Sequence, residues 1–553
     1  MDHQPAELLT PSFPTESNSE KQMKPECRTV VDWVESNRAP ISRDHATIWN
    51  LHEPAWREYR AAEWYVDRLR REGFEVEAGS AGMPTAFAAR WTSPAGDGPH
   101  LAAWAEYDAV PGNSQEPVPY PMPRAGVSRW AAGFTEPHSA VGIASLSAVL
   151  AAKSAMEKHG LKGTLRFFGE PAENMCGAKV FHAANGYYDK IDAAIAWRSS
   201  PLPALVNTVA LDTLCGCYWS KVYSFEHEEV FGHQRHRPPQ PSEAAATPQA
   251  SARSPGALDA VVLMYTTSKY LRDAILPHTG SWALNEAILA NASATADNVP
   301  PRIAQIQYSW RCPTVAMAQR ILEVLDRNAE QVSKLTQTRW RSDWVSRTRP
   351  GLPNHALAEI AYANFEQVGP PQWSDEAREF ARACQKTLDI EPMQEPFIDG
   401  VGRMKRPQEA EAQIREILPP WQTHFGADDY VEYSWHAPTV RVLVARPRLA
   451  PPEAGYVYPQ WVGSALGGVA AVVDPVILTA AKVIGTTIVD LLVSPEKLSR
   501  CREEFERRTG GGVGGGNWMA PLMDKTVAPP IDFPWPEYVT TARGDGWCLP
   551  ADG

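Results

Sequence analysis

The sequence predicts an α/β fold in which a larger domain is interrupted by a smaller α+β domain. The chain has 553 residues, which is too long for one ordinary hydrophobic core. Between Gly133 and Ala178 a helical pattern alternates with a strand pattern, as in an open α/β sheet. From Val206 to about Arg349 strand-like runs surround a helix and a low-complexity stretch, and a helical pattern resumes afterwards.

The predicted division of the chain has five parts. Residues 1–25 are rich in Pro, Ser, Glu and Gln and should be disordered. Residues 26–205 and 350–509 form the larger domain, and residues 206–349 form the inserted α+β domain. Residues 510–553 begin with two runs of glycine and should form a flexible tail.

Hydrophobic periodicity and turn residues place the individual elements. Before the insertion they are two helices ahead of Gly73 (the second from about Tyr59 to Glu72), strands Phe74–Val76, Ala86–Trp91 and Leu101–Tyr107, helix Ala140–Lys158 and strand Thr164–Phe168. In the insertion they are strands Ser220–Phe225 and Ile303–Trp310 and helix Gly256–Ala274, with the Pro- and Ser-rich stretch Arg235–Ala252 between them. Later come helix Asp375–Thr387 and helix Val476–Leu492, which Asp474 can cap.

Chemically active side chains collect where these elements meet one edge of the sheet. Glu136 and His138 precede a predicted helix, and Glu173 follows a predicted strand. Because helix N-termini and strand C-termini share one edge of an open α/β sheet, the three side chains should converge. Glu106 and Asp108 alternate onto one face at the end of another strand, where they can ligate a metal, hold an imidazole or form a solvated turn. The pattern predicts a metal site or an acid–base site.

Composition limits the partners and the compartment. A net charge of −12 without a Lys/Arg cluster argues against nucleic acid. The most apolar stretch, Val462–Val493, is interrupted by charged residues and glycines, so it predicts a core helix and no membrane partner. Eight irregularly spaced cysteines fit a reducing compartment, and no apolar signal segment begins the chain, so we expect a cytoplasmic protein.

A series of short motifs resembles the aminoacylase and carboxypeptidase clan of dinuclear zinc amidohydrolases, in the branch of the p-aminobenzoyl-glutamate hydrolase B subunits. The resemblance implies a mixed-sheet catalytic domain of the phosphorylase/hydrolase-like type and an inserted lid domain that often mediates dimerisation. In order and spacing it covers about residues 40 to 510. The motifs are Ala105–Gly112, the turn at His138, Pro171-Ala172-Glu173, Asp297–Pro300 and Ser434–Thr439.

The resemblance also implies roles for single residues. Glu173 corresponds to the general base that acts on a metal-bound water. His138 corresponds to a metal ligand, Glu136 stands where the family has a cysteine ligand, and a late histidine ligand falls at Asp474. Glu106 and His436 are reserve ligands.

Two further ligand positions depart from the family pattern. The second glutamate of the family motif is Asn174, and a histidine is replaced by Arg198, which would repel a cation or pair with Glu136 or Glu173. Three groups can hold at most one ion, since each zinc takes about four donors. The metal site is therefore degenerate, and we expect one divalent ion, zinc or manganese, or none.

The resemblance assigns substrate contacts to His233, Asn298, Arg311 and His436, because similar enzymes bind the oxyanion and the carboxylate with such residues. Equally, Asn298 can serve a turn, Arg311 a surface ion pair, and His436 a packed position beside Trp435.

Two functions of different class follow. The first is an amidohydrolase that acts on a small N-acyl or aminoaryl amino acid or a dipeptide-like metabolite, organised as a homodimer, with a small-molecule substrate as its partner. The second is a repurposed, non-hydrolytic or metal-free tailoring enzyme of specialised metabolism that uses Glu173, His138 and His436 for condensation, cyclisation or deamination.

Overall fold

The computed structural model describes residues 23–135, 137–200, 202–227, 255–275, 282–290, 301–542 and 544–548. Three of the predicted site residues, Glu136, His233 and Asn298, lie outside these ranges. The stretch Arg235–Ala252 and nearly all of the N-terminal segment 1–25 also lie outside them.

The elements follow one another in the order helix, strand and helix typical of an α/β protein. The helices are α1 (Pro25–Ser36), α2 (Arg38–Leu51), α3 (Tyr59–Arg71), α4 (His138–His159), α5 (Ala178–Ala184), α6 (Ala257–Ile275), α7 (Val315–Thr336), α8 (His355–Val368), α9 (Asp375–Thr387), α10 (Pro407–Ile417), α11 (Gln460–Gly468), α12 (Ala470–Val493) and α13 (Pro495–Thr509). The strands are β1 (Glu75–Ala78), β2 (Phe87–Thr92), β3 (His100–Ala105), β4 (Thr164–Gly169), β5 (Ala193–Ser200), β6 (Thr208–Val209), β7 (Leu214–Glu226), β8 (Ala283–Ala290), β9 (Ile303–Cys312), β10 (Arg339–Arg347), β11 (His424–Ala427), β12 (Thr439–Ala445), β13 (Glu537–Thr541) and β14 (Gly544–Cys548).

A seven-stranded mixed sheet forms the larger domain, with the order β1-β2-β4-β3-β5-β12-β6. Its central strands β4, β3, β5 and β12 are parallel, whereas β1, β2 and β6 pair in antiparallel fashion. The predicted fold class is confirmed. The carboxyl ends of the four parallel strands lie at one edge, which is where such sheets place their ligand sites.

Helices α4 and α12 pack against each other in the core of this domain. By length and composition alone both could cross a membrane, but 89% and 83% of their apolar windows are buried inside the fold. At Gly142 of α4, an added Cβ would lie 2.2 Å from the Tyr65 hydroxyl and 2.7 Å from the Glu106 carbonyl oxygen. Glycine at this position therefore lets the start of α4 lie close against the end of β3.

The start of α12 differs from its prediction. Asp474 does not cap this helix, because α12 already begins at Ala470 and contains Pro475. Proline is a misleading helix-start signal in this sequence, since it is tolerated within the early part of a helix that continues on both sides.

The inserted residues form a second sheet, with the order β10-β7-β9-β8 and antiparallel pairing throughout. Helices α6 and α7 pack against it around a separate hydrophobic core. Strand β11 comes from the later part of the chain and pairs in parallel with β7. Strand β6 lies within the predicted insertion but pairs with β12 in the larger sheet. Sequence patterns do not predict β6, because a strand of two residues is too short to show a periodicity.

The C-terminal part, expected to be a flexible tail, is packed over the range that the structure describes. The side chains of Met523 and Trp535 are buried. Trp518 Nε1 donates to the Trp435 carbonyl oxygen, and Arg349 Nη1 donates to that of Met519 at 2.8 Å. The glycine runs suggest flexibility, but the aromatic residues that follow them anchor the segment.

Candidate active site

The functional side chains meet at the carboxyl edge of the parallel strands. Glu106 and Asp108 follow β3, and His138 is the first residue of α4. Glu173 stands in the turn after β4, and Arg198 lies near the end of β5. Helix α5 contributes Lys179, and the segment after β11 contributes Asp428 and Asp429. Convergence at this edge is the prediction made for Glu136, His138 and Glu173; His138 and Glu173 meet there, and Glu136 lies outside the described residues.

His138 lies between two carboxylates. Its Nδ1 is 2.8 Å from Asp108 Oδ1 and its Nε2 is 2.7 Å from Glu173 Oε2. Burial alone would lower the pKa of His138, but the charges of Glu173 and Asp108 outweigh it and hold the pKa well above its ordinary value. Nδ1 is hydrogen-bonded to Asp108, whereas Nε2 makes a close contact with the Glu173 carboxylate without a hydrogen bond. The idea that an acid at the end of β3 holds an imidazole is confirmed at Asp108.

Glu173 is an ionised carboxylate. Its Oε1 accepts from Arg198 Nη1 at 2.8 Å, while Oε2 faces His138. Burial would raise the pKa of Glu173, but Arg198 and then His138 hold it well below its ordinary value. The expected ion pair between Arg198 and Glu173 is thus present.

Hydrogen bonds to Glu58 and Asp108 hold the turn that carries Glu173. Ala172 has a left-handed φ of 55°, and its N–H donates to Glu58 Oε1 at 2.7 Å. Burial, followed by the charge of Asp108, raises the pKa of Glu58 well above its ordinary value. Asn174 donates to Asp108 Oδ2 through its backbone N at 2.9 Å and through Nδ2 at 2.8 Å. Asn174 therefore acts as a donor that orients Asp108.

Lys179 is a second cation in the site, and sequence patterns do not predict its role. Its side chain has no exposed surface, and its Nζ lies 3.0 Å from Glu106 Oε1 and 2.7 Å from Asp429 Oδ1. Burial opposes its charge, but Asp429 and Glu106 raise the pKa of Lys179 well above its ordinary value. Arg198 Nη1 contacts the other oxygen of Glu106, Oε2, at 3.0 Å.

Two groups of acidic and histidine side chains have the composition of a divalent-metal site. In each group the possible ligand atoms lie within 4.8 Å of one another. Oxygen and imidazole donors suit several divalent metals, so these groups suggest a divalent ion and leave its identity open. The groups are Glu106, His138 and Glu173, and Glu173, Asp428 and Asp429.

The side chains as arranged do not fit such an ion. In the first group Arg198 Nη1 already contacts the carboxylates of both Glu106 and Glu173, and both nitrogens of His138 face carboxylates. In the second group Asp428 is paired with Arg441, and one oxygen of Asp429 is paired with Lys179.

The other predicted site residues are distributed as follows. Arg311, on β9, lies over the Tyr218 ring with its guanidinium carbon 4.8 Å from the ring centroid. It is also close enough to Cys176 to counteract the rise that burial causes in the pKa of that thiol.

Asp474 and His436 are not brought to Glu173. Asp474 lies in α12, and burial raises the pKa of its carboxyl, an effect that Ser42 of α2 partly offsets. His436 is buried, with Nδ1 3.0 Å from Asp189 Oδ1 and its ring against Trp518. The family resemblance assigns a ligand to Asp474 across a long stretch of chain that contains no matching motif. His138 lies within a short matched motif, so its position is predicted from the local order of residues.

Comparison with known proteins gives two curated relatives and structural neighbours. No protein-family model matches the chain. The B subunit of the p-aminobenzoyl-glutamate hydrolase of Escherichia coli (strain K12) is 26% identical over 493 residues, which cover 87% of this chain and 95% of that protein. The Xaa-Arg dipeptidase of Mus musculus is 26% identical over 315 residues, covering 54% of this chain and 60% of that protein. A crystal structure of an aminobenzoyl-glutamate utilization protein from Klebsiella pneumoniae has 15% identity and a TM-score of 0.47, covering 82% of this chain and 98% of that one.

Proposed function

We propose that this chain, an amidohydrolase homologue of the branch that contains the p-aminobenzoyl-glutamate hydrolase B subunit, hydrolyses an amide bond in a small N-acyl or aminoaryl amino acid or a dipeptide-like metabolite. One observation carries the proposal. The glutamate that matches the family's general base, Glu173, is an ionised carboxylate at the carboxyl edge of the sheet, held by His138 and Arg198. Both curated relatives carry hydrolase names, so the comparisons do not favour the non-hydrolytic alternative.

The residues of the site supply the proton transfers of this reaction. Glu173 accepts one proton from a water molecule as the water oxygen bonds to the amide carbon. When the carbon–nitrogen bond breaks, Glu173 returns that proton to the leaving nitrogen. His138 orients Glu173 through Nε2 and is itself oriented by Asp108. The positive charge of Arg198, beside Glu173, favours the negative charge that develops on the amide oxygen.

Arg311 is the proposed partner of the substrate carboxylate. Its support is the resemblance, together with the influence of its positive charge on the pKa of Cys176, which burial raises and Arg311 lowers. A guanidinium binds a carboxylate through two parallel hydrogen bonds, which orients the substrate as well as holding it. His233 and Asn298 stay predictions for the same substrate pocket.

A homodimer in the cytoplasm completes the proposal. The inserted domain exposes large apolar side chains on α6 and β8, with Val262 51%, Tyr270 80% and Ile288 47% exposed. Such residues on neighbouring elements are typical of a surface covered by a partner, and the proposed partner is a second copy of the chain. All eight cysteines are free, which supports a reducing compartment.

A substrate screen tests the proposed reaction. Purified protein would be incubated with p-aminobenzoyl-glutamate, N-acyl amino acids and Xaa-Arg dipeptides, and the released amines would be quantified by mass spectrometry. We expect hydrolysis of at least one class, loss of that activity in Glu173→Gln, and a weaker reaction when the substrate carboxylate is esterified. Hydrolysis that survives in Glu173→Gln, or no hydrolysis of any of these amides, would contradict the proposal.

A further inference from the structure

We propose that two side-chain cations, Arg198 and Lys179, take the places of divalent ions in the acidic cage formed by Glu106, Glu173 and Asp429. They compete with a divalent metal for the same carboxylate oxygens, and the native cage consequently binds none. This inference concerns the charge that holds the site together and goes beyond the proposed hydrolysis of an amide.

Arg198 occupies the position between the two carboxylates of the first candidate ligand group. Its Nη1 lies 3.0 Å from Glu106 Oε2 and 2.8 Å from Glu173 Oε1. An ion shared by these oxygens would have to stand about 2.0–2.2 Å from each of them, in the space that the guanidinium already fills. Its positive charge would also repel that ion.

Lys179 closes the cage on the opposite oxygen of Glu106. Its Nζ contacts Glu106 Oε1 and Asp429 Oδ1, and neither Lys179 nor Asp429 exposes its side chain. Trp104 Nε1 donates to the same Glu106 oxygen at 3.1 Å. Both oxygens of Glu106 are thus taken by donors of the protein.

The neighbouring side chains are arranged as donors too. His138 contacts the carboxylates of Asp108 and Glu173 through its two ring nitrogens. Asn174, at a position where the resemblance implies a metal ligand, donates from Nδ2 to Asp108. Protein cations and donors therefore contact both oxygens of Glu106, both oxygens of Glu173 and one oxygen of Asp429, while Asp429 Oδ2 is buried without a donor. A metal would have to displace several charge-assisted contacts to enter.

The test restores a ligand set and measures metal binding directly. Arg198→His combined with Asn174→Glu removes the guanidinium and supplies two metal-binding side chains. Arg198→Lys keeps a cation at the same place. Arg502→His is the matched control, since Arg502 pairs with Asp192 at the opposite end of β5. Each protein is dialysed against Zn²⁺ and then against buffer, and bound zinc is measured by elemental analysis.

We expect the double variant to retain about one zinc ion per chain, while wild type, Arg198→Lys and Arg502→His retain only trace zinc. Circular dichroism and thermal unfolding establish that each variant is folded, and Co²⁺ absorption spectra serve as a second readout of ligation. Should the double variant misfold, Arg198→Ala titrated with Zn²⁺ by calorimetry answers the same question, with tighter binding than wild type expected.

Two results would overturn the inference. One is stoichiometric zinc or manganese in the wild-type protein that is lost in Glu106→Gln. The other is a folded double variant, or a folded Arg198→Ala, with no gain in metal binding over wild type. Because these measurements need no substrate, a failed search for hydrolysis would leave their outcome unaffected.

Discussion

Two buried clusters, each built on a histidine and a carboxylate, lie side by side in the larger domain and differ in how their charges are satisfied. In the active-site cluster, Glu173 is held by His138 and Arg198. In the second cluster, Glu170 Oε2 is 2.8 Å from His182 Nδ1, and His182 Nε2 is 2.7 Å from Ser80 Oγ.

The second cluster is completed by neutral groups. Glu170 Oε1 accepts from the hydroxyls of Tyr188 and Tyr433, each at 2.7 Å. Tyr188 and Tyr433 stack with ring centroids 3.9 Å apart, and Tyr433 stacks on Trp104 at 4.2 Å. Trp104 in turn donates to Glu106, so this aromatic cluster forms the back wall of the acidic cage.

The way in which the charges are balanced indicates that the second cluster is structural and the active-site cluster is reactive. Glu170 has partners on both oxygens inside a rigid aromatic wall, an arrangement that stabilises a unique packing. The active-site cluster instead gathers several like charges that only buried cations can balance, which costs stability and creates strong local electrostatics. An isosteric substitution in the active-site cluster should therefore remove turnover, whereas the matched substitution in the second cluster should mainly lower stability.

The largest expected effect is on turnover. Glu173→Gln removes the proton acceptor with almost no change in shape, so activity should fall about 10²–10⁴-fold. The free energy of unfolding should also fall, by about 2 kcal/mol, because Arg198 and His138 lose a charged partner. Kinetics of the best substrate and urea unfolding of the same preparation measure both quantities. Unchanged turnover would remove Glu173 from the mechanism.

The matched substitution in the second cluster should act on stability. Glu170→Gln takes the charged partner away from His182 and weakens the bonds from Tyr188 and Tyr433, so the free energy of unfolding should fall by about 2–3 kcal/mol. The variant should keep substantial turnover below its unfolding temperature. A stable Glu170→Gln protein that had lost all turnover would show that the second cluster shares in the chemistry.

Much of the active-site cluster follows from local sequence. The helix that starts at His138 and the strand that ends before Glu173 have clear periodicities, and alternation after β3 puts Glu106 and Asp108 on one face. The pairing of Arg198 with Glu173 follows from the resemblance, which puts an arginine where the family has a histidine ligand; β5, which carries Arg198, lies next to β3 and not next to β4.

The rest depends on contacts between distant segments. Lys179 forms an ion pair with Asp429, which is 250 residues away in the chain, and no sequence periodicity predicts that pair. The same holds for the packed C-terminal segment, because its anchors Met523 and Trp535 look like isolated apolar residues in a glycine- and proline-rich stretch. The family resemblance predicts a metal ligand at Asp474, but this residue lies within the continuous helix α12.

A smaller effect, on the pH dependence of stability, should also distinguish the clusters. Against the effect of burial, Glu173 and Asp108 hold the pKa of His138 well above its ordinary value. A pKa that is higher in the folded state stabilises the fold fully below the unfolded value, about 6.5, and this contribution is lost as pH rises through the folded value. Against the effect of burial, His182 lowers the pKa of Glu170, so its contribution is present above about pH 4.3 and is lost on acidification.

Thermal unfolding from acidic to alkaline pH checks these signs. The difference in free energy of unfolding between wild type and His138→Asn, on the order of 2 kcal/mol, should shrink as pH rises above neutrality. The difference between wild type and Glu170→Gln should shrink at low pH. A His138→Asn difference that grew with rising pH would contradict a raised pKa of His138 in the folded protein.

The smallest expected effect on stability comes from substitution of Ser80, and this substitution tests most directly which of the two clusters is reactive. Ser80, His182 and Glu170 have the hydrogen-bond order of a catalytic serine triad, with Nδ1 of His182 toward the carboxylate and Nε2 toward the hydroxyl. All three are fully buried, so the structure gives a substrate no path to the hydroxyl. Ser80→Ala should therefore cost about 1 kcal/mol of stability for one lost hydrogen bond and leave turnover within about twofold of wild type. If Ser80→Ala abolished turnover in a folded protein, and Ser80→Cys restored part of it, the second cluster would be the reactive one and the roles of the two clusters would be reversed.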